Sequence, residues 1–135
     1  RCAEIPSANG HGSAEGLAKL FGILSSGGTR NGKTIISSET LNTVTKMFSN
    51  GPDTVLMGGD MAFGLGYMLH NKSARIEESP RYSKGYFGHA GIGGAVAYGD
   101  KDKNFGYAFL CNQEHQMRDL YKTSNQISKA LHSII

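Results

Sequence analysis

Two apolar runs near the end of the chain constrain its fold most strongly. Gly94-Ala95-Val96-Ala97-Tyr98 and Phe105-Gly106-Tyr107-Ala108-Phe109-Leu110-Cys111 flank the charged stretch Asp100-Lys101-Asp102-Lys103-Asn104. Aromatic and β-branched residues on either side of a short polar segment read as a hairpin with a five-residue loop. Phe105, Tyr107 and Phe109 share one face of the second strand, and Gly106, Ala108 and Leu110 share the other. Neither face is polar, so the strand is expected to be covered on both sides.

The segments that could supply this cover are helical. Ser13 is placed to cap a helix, with Glu15 in its first turn. Leu17, Leu20, Phe21 and Leu24 follow with the spacing of a buried helix face, and Gly27-Gly28 stops the run. Thr29 to Lys33 reads as a polar loop and Thr34-Ile35-Ile36 as a short β-branched piece. Ser38 is a candidate cap for a second helix, with Leu41, Val44 and Phe48 on one face and Asn50-Gly51-Pro52 as its end. Asp53 to Asp60 reads as a glycine-containing loop and Met61 to Leu69 as a strand weakened by Gly64 and Gly66. Asn71 to Ser83 reads as a long surface connection. Gln116 to Ile135 is expected to form a terminal helix striped by Met117, Leu120, Ile127, Leu131 and Ile134, with Lys122, Lys129 and His132 largely off the stripe. The order predicts an α+β fold with an antiparallel sheet packed against helices.

Composition removes several classes. Glycine accounts for 19 of 135 residues, about twice the usual ~7%. No Gly-X-Y period is present, so the glycines mark turns and close backbone approach rather than collagen. A formal charge of +3 with interspersed signs offers no basic stripe for nucleic acid. No apolar run nears the roughly 20 residues of a membrane span. Cys2 and Cys111 are too few for a disulfide scaffold, and Cys111 reads as a buried thiol. His11, His70, His115 and His132 lack metal-ligand spacing and read as surface or helix-end residues. Asp53 and Asp60 lack the calcium-loop pattern, and Tyr82, Tyr86 and Tyr107 read as packing residues.

Two motifs carry possible chemistry. Gly27-Gly28-Thr29-Arg30-Asn31-Gly32-Lys33-Thr34 fits the phosphate-loop pattern G-x-x-x-x-G-K-[ST]. A working phosphate loop leaves a strand and opens a helix, whereas this one follows a helical run. Its other reading is a surface loop. The second motif is Phe87-Gly88-His89-Ala90-Gly91-Ile92-Gly93-Gly94. Glycines here would let a substrate lie against bare backbone, and strand-end amides could stabilise an oxyanion. Its other reading is a bulged strand with glycines for packing.

The second motif, followed by Tyr98-Gly99-Asp100 and the run Phe105 to Asn112, resembles the C-terminal signature of the class C β-lactamase-related family. That family comprises serine β-lactamases, D-alanyl-D-alanine peptidases and carboxylesterases. Ser7-Ala8-Asn9-Gly10, Ser37-Ser38-Glu39-Thr40-Leu41 and Phe63-Gly64-Leu65-Gly66-Tyr67 resemble the family in the same order, so the similarity spans nearly the whole chain. The resemblance implies a penicillin-binding-protein-like fold and a substrate-contacting role for His89-Ala90-Gly91, which matches the His-x-Gly form of the family's active-site strand. It implies that the Ile92 N–H is one oxyanion donor. It implies no metal and no cofactor, because serine acyl transfer needs neither.

The family nucleophile lies in Ser-x-x-Lys, and no serine of this chain has lysine three residues on. Thr43-Val44-Thr45-Lys46 is the nearest imitation. Tyr-x-Asn is also absent, since Ser7-Ala8-Asn9 has serine in the tyrosine position. The chain opens Arg1-Cys2-Ala3-Glu4, without Met or a signal-peptide pattern. Residues 1–135 are therefore expected to be the C-terminal part of one such domain, a piece of a longer chain that contributes substrate-binding residues but no nucleophile. The expected partner is a small-molecule acyl substrate. A non-catalytic binding module, prone to self-association through exposed apolar surface, is the rival expectation. A nucleotide-binding protein built on Lys33 is the third.

Overall fold

The computed structural model describes residues 4–8, 10–56, 59–71, 83–116 and 119–135. Arg1, Cys2, Ala3, Asn9, Tyr82 and Met117, and most of the 71–83 connection, lie outside them.

The first helix, α1 (Ala14–Ser25), starts where the capping signal places it. The Gly16 N–H donates to Ser13 Oγ at 3.0 Å. Phe21 and Leu24 are buried, but Leu20 is 40% exposed, contrary to the expected stripe. The helix is turned to bring Ala18 and Gly22 against the sheet, close enough that a Cβ on Gly106 would lie 2.1 Å from the Gly22 nitrogen. Small residues thus define the contact face as much as large ones do.

A two-stranded hairpin follows, β1 (Thr29–Arg30) with β2 (Lys33–Thr34). The expected loop over Thr29–Lys33 is corrected by this pairing. Asn31 and Gly32 both take positive φ, 51° and 74°, as a two-residue type I′ turn requires. Ile35 is 57% exposed, and Ile36 packs half-buried against the core. The second helix, α2 (Ser38–Val44), is capped by Ser37 rather than Ser38. It is shorter than the periodicity predicts. Phe48 lies beyond it, 59% exposed, and Asn50-Gly51-Pro52 belongs to a strand instead of a helix stop.

The remaining strands form one antiparallel meander in sequence order: β3 (Ser49–Pro52), β4 (Asp60–Phe63), β5 (Met68–Leu69), β6 (Tyr86–Ala90), β7 (Val96–Asp100) and β8 (Phe105–Phe109). The single strand expected over Met61–Leu69 is two strands. They fold back at Gly64–Tyr67, where the Gly64 N–H donates to the Tyr67 carbonyl. The β7–β8 hairpin is where it is expected, with its bounds shifted: β7 starts at Val96 rather than Gly94 and runs to Asp100, β8 ends at Phe109 rather than Cys111, and Asp100 pairs with Phe105, so the loop has only Lys101–Asn104.

Helices cover both faces of this sheet, which gives the α+β architecture. On one side Phe21, Leu24, Leu41, Ala62, Leu69 and Phe87 form a core between the sheet and α1–α2. On the other side Met68, Tyr86, Val96, Tyr98 and Tyr107 pack beneath the last helix, α3 (Lys122–His132), joined by Leu131. Residues alternate between the cores along β6 and β7, so Phe87 and Tyr98, both fully buried, sit back to back in the sheet centre.

The terminal helix begins at Lys122, not Gln116, and its buried residues are Ser124, Asn125 and Ser128. Ile127 and Ile134, expected in its apolar stripe, are 42% and 77% exposed. The reason lies in the surface beneath. Tyr98 and Tyr107 present phenol hydroxyls that must be satisfied once buried. Tyr98 Oη shares a 2.6 Å hydrogen bond with Ser128 Oγ, and Tyr107 Oη donates to the Ser124 carbonyl at 3.1 Å. Burial raises the Tyr98 pKa well above the ordinary phenol range and pushes Tyr107 up to about 12, so both phenols remain protonated.

Candidate active site

The segment singled out in the sequence lies at one end of the sheet centre. Strand β6 pairs with β7 along its whole length, from Tyr86↔Asp100 to Ala90↔Val96. On its other side, β5 registers only with Phe87 and Gly88. The stretch His89–Ala90 therefore projects beyond β5 with that edge unpaired by it. His89 is exposed, and its Nδ1 lies 2.9 Å from the Ala90 carbonyl oxygen. Along β6 it shares a face with Phe87, the side on which α1 and α2 lie.

After Ala90 the chain turns tightly. The Gly91 N–H donates to the Ala95 carbonyl at 2.7 Å, and the Gly94 N–H donates to the Gly91 carbonyl at 3.0 Å. Ile92 sits at the tip of this turn, 76% exposed. Among the described residues nothing accepts a hydrogen bond from its N–H. Among the described residues, His89, Ala90, Gly91 and Ile92 thus share one exposed corner, formed by a strand edge that β5 does not pair and an amide without an acceptor.

Other candidates fall elsewhere. The phosphate-loop match lies on the β1–β2 hairpin, which follows a helix and leads into a second turn before α2. Among the described residues no strand feeds it and no helix opens from it, unlike the strand–loop–helix setting of a phosphate loop. Lys33 is exposed and pairs across the hairpin with Arg30. Tyr86 and Tyr107 are buried in the aromatic core. Asp53 turns inward on its own loop, where Oδ1 accepts from the Val55 and Leu56 N–H groups. Among the described residues no group of three His, Cys, Asp or Glu side chains is placed to hold a metal.

Two histidines and the cysteine depart from their simple sequence readings. Cys111 is half-buried rather than buried, two residues past β8, with its thiol donating to the Gly93 carbonyl at 3.5 Å. His115 is half-buried against Gly94 and Phe109. His132 ends α3 as expected, but it reaches inward: Nε2 lies 3.0 Å from Tyr98 Oη, and Nδ1 lies 4.0 Å from Asp100 Oδ2. Beside the Gly93–Gly94 turn, residues 111–116 and the start of α3 enclose an open cavity of about 740 Å³, lined by polar groups including Asn112, Glu114, Asp119 and Lys122.

The exposed His89 and the Ile92 N–H thus lie at one end of an antiparallel sheet that helices cover on both faces. The Beta-lactamase family model matches residues 1–131. The chain is 31% identical over 111 residues to the Esterase/beta-lactamase LipL of Mycobacterium tuberculosis (strain ATCC 25618 / H37Rv), covering 82% of this chain and 24% of that protein. A penicillin-binding protein homolog from Caulobacter crescentus superimposes with a TM-score of 0.80 at 30% identity, over 97% of this chain and 34% of that one. A family VIII carboxylesterase superimposes with a TM-score of 0.76 at 29% identity, over 98% of this chain and 34% of that one. The chain belongs to the β-lactamase family, the class C-related group of β-lactamases, penicillin-binding-protein homologs and esterases. It spans between 24% and 34% of the length of these relatives.

Proposed function

We propose that these 135 residues are the C-terminal part of a β-lactamase-family serine hydrolase and form one wall of its acyl-transfer site. The observation that carries this reading is the unengaged Ile92 N–H at the exposed corner beside His89. An amide without an internal acceptor, held at a strand end, suits an oxygen that gains negative charge during attack on an acyl group. His89 contacts the substrate or the hydrogen-bond network around it, and the open edge at His89–Ala90 receives an extended acyl substrate. That substrate is a β-lactam, a small ester or a D-amino-acid peptide. The nucleophile and its lysine come from residues outside this sequence, since no Ser-x-x-Lys occurs within it. The reaction runs through a covalent serine ester that water then resolves.

Two measurements test this. The chain assayed alone should hydrolyse neither nitrocefin nor p-nitrophenyl acetate above its heat-denatured control. Turnover that survives purification would end the proposal. In the source cells, a fluorophosphonate probe should label a product much larger than 14.5 kDa that carries this sequence and an upstream Ser-x-x-Lys. An endogenous product of this chain's own mass, unlabelled, would remove catalysis and leave a binding role.

A further inference from the structure

The turn that presents Ile92 is braced from outside its own hairpin. The connection following β8 lies against it: the His115 N–H donates to the Gly93 carbonyl at 3.1 Å, and the Cys111 thiol reaches the same oxygen. Side chains complete the contact. A Cβ on Gly93 would come within 2.9 Å of Glu114 Cγ, and one on Gly94 within 3.0 Å of His115 Nδ1. Gly94 also holds φ 98°, a conformation that suits glycine. Two glycines without side chains are thus pressed against Glu114 and His115.

The His115 ring is held there by packing. Among the described residues its Nδ1 is buried without a hydrogen-bond partner, and its centroid lies 6.3 Å from that of Phe109. A buried ring nitrogen left unsatisfied costs free energy, so the ring's place must be maintained by its contacts. One contact is the turn itself, which Ile92, 76% exposed, does little to anchor.

We infer that His115 is a positioning residue: its ring, wedged between Phe109 and Gly94, fixes the Gly93–Gly94 limb and so holds the Ile92 N–H in a set direction before any substrate arrives. An oxyanion donor is effective only when its direction is fixed in advance. The purpose assigned to the brace rests on the acyl-transfer reading; the brace itself does not.

The test is ¹⁵N relaxation on this chain. In the unaltered protein the Ile92 and Gly93 amides should have order parameters near the rigid value of about 0.85. In His115→Ala they should fall below about 0.6 while the melting temperature and the amide spectrum elsewhere stay unchanged. His115→Phe keeps a ring on Gly94 without the nitrogens and should restore the order. If His115→Ala does not fold, His115→Leu, with similar bulk but no flat ring, takes its place with the same expectation. A turn equally rigid in the ring-deleted variant overturns the inference, as does failure of His115→Phe to restore it. A turn already mobile in the unaltered chain overturns it too. These outcomes are independent of catalysis: a rigid, ring-dependent turn in a protein whose longer form proves inactive would sink the acyl-transfer proposal and leave the brace standing.

Discussion

A methyl group at Gly106 would lie 2.1 Å from the Gly22 nitrogen and 2.4 Å from the Ala18 carbonyl oxygen. Both neighbours are helix backbone and cannot swing aside as a side-chain end could. The Ser25 hydroxyl, one turn further along α1, lies 2.7 Å from the Phe105 carbonyl oxygen, so the helix is also tied to β8 by a polar contact. Gly106→Ala must therefore push α1 off the sheet or distort β8. Overpacking of this kind costs about 1–3 kcal/mol, and the rigidity of both partners places this site at the upper end. Gly12→Ala, where an added Cβ meets nothing within 4 Å, is the control; it should shift stability by less than about 0.5 kcal/mol. Urea unfolding monitored by far-UV circular dichroism checks both. Equal midpoints for the two variants would show that α1 is not seated as closely as this geometry demands.

Helix α3 docks through hydroxyls, and its end carries a titratable group. His132 shares a hydrogen bond with Tyr98 and faces the fully buried Asp100, whose Oδ2 has no hydrogen-bond partner among the described residues. The Lys103 ammonium donates to the His132 and Ile135 carbonyls at the helix end. Burial draws the His132 pKa below its ordinary 6.5; Asp100 opposes this and Lys103 adds to it. A lowered folded-state pKa means the unfolded chain binds the proton more readily. The stabilisation is therefore complete above the unfolded value and is lost as pH falls through the folded one. The melting temperature should drop on acidification from neutral pH, and His132→Gln should remove that part of the drop. Parallel pH profiles for the two proteins would show that His132 does not titrate in its docked position. This helix also marks a limit of sequence reading. Cap and apolar spacing, both local signals, located α1; for α3, which has no side-chain cap, periodicity gave a helix but not the face it buries. It could not reveal that Ser128 faces inward on α3, since that choice is made by the Tyr98 hydroxyl, 30 positions away in sequence. The β1–β2 hairpin is signalled by Asn31-Gly32, whose two left-handed positions mark a type I′ turn, but its strands are only two residues long and show no alternation of apolar and polar residues. The fold-back between β4 and β5 was signalled only by Gly64 and Gly66. At the candidate site, His89 to Ile92 stood out as a contiguous motif. His115 did not, because it meets Gly94 only once β8 has paired with β7.

For the molecule as a whole, the open question is what its sheet edges meet. Among the described residues no strand pairs with the outer side of β3 or of β8. The two edges differ in chemistry. Strand β3 is short and carries Asn50, Gly51 and Pro52, residues that discourage further pairing. Strand β8 reads Phe-Gly-Tyr-Ala-Phe, with no charge and no proline. Its two faces lie on the cores beneath α1 and α3, so the edge backbone lies between dry layers. Such an edge templates a further strand, and in the isolated chain the available strand is a second copy. The chain is expected to self-associate with rising concentration in sedimentation velocity. Leu110→Lys, placing a charge at a 38% exposed position just past the strand, should weaken that association while leaving the melting temperature of the monomer nearly unchanged. Association that persists undiminished in Leu110→Lys would move the contact to another surface, with exposed Phe48 and Val55 next to β3 as the first place to look. A chain that stays monomeric at every concentration would show that β8 carries protection of its own in solution, and would count against the self-associating binding module as well.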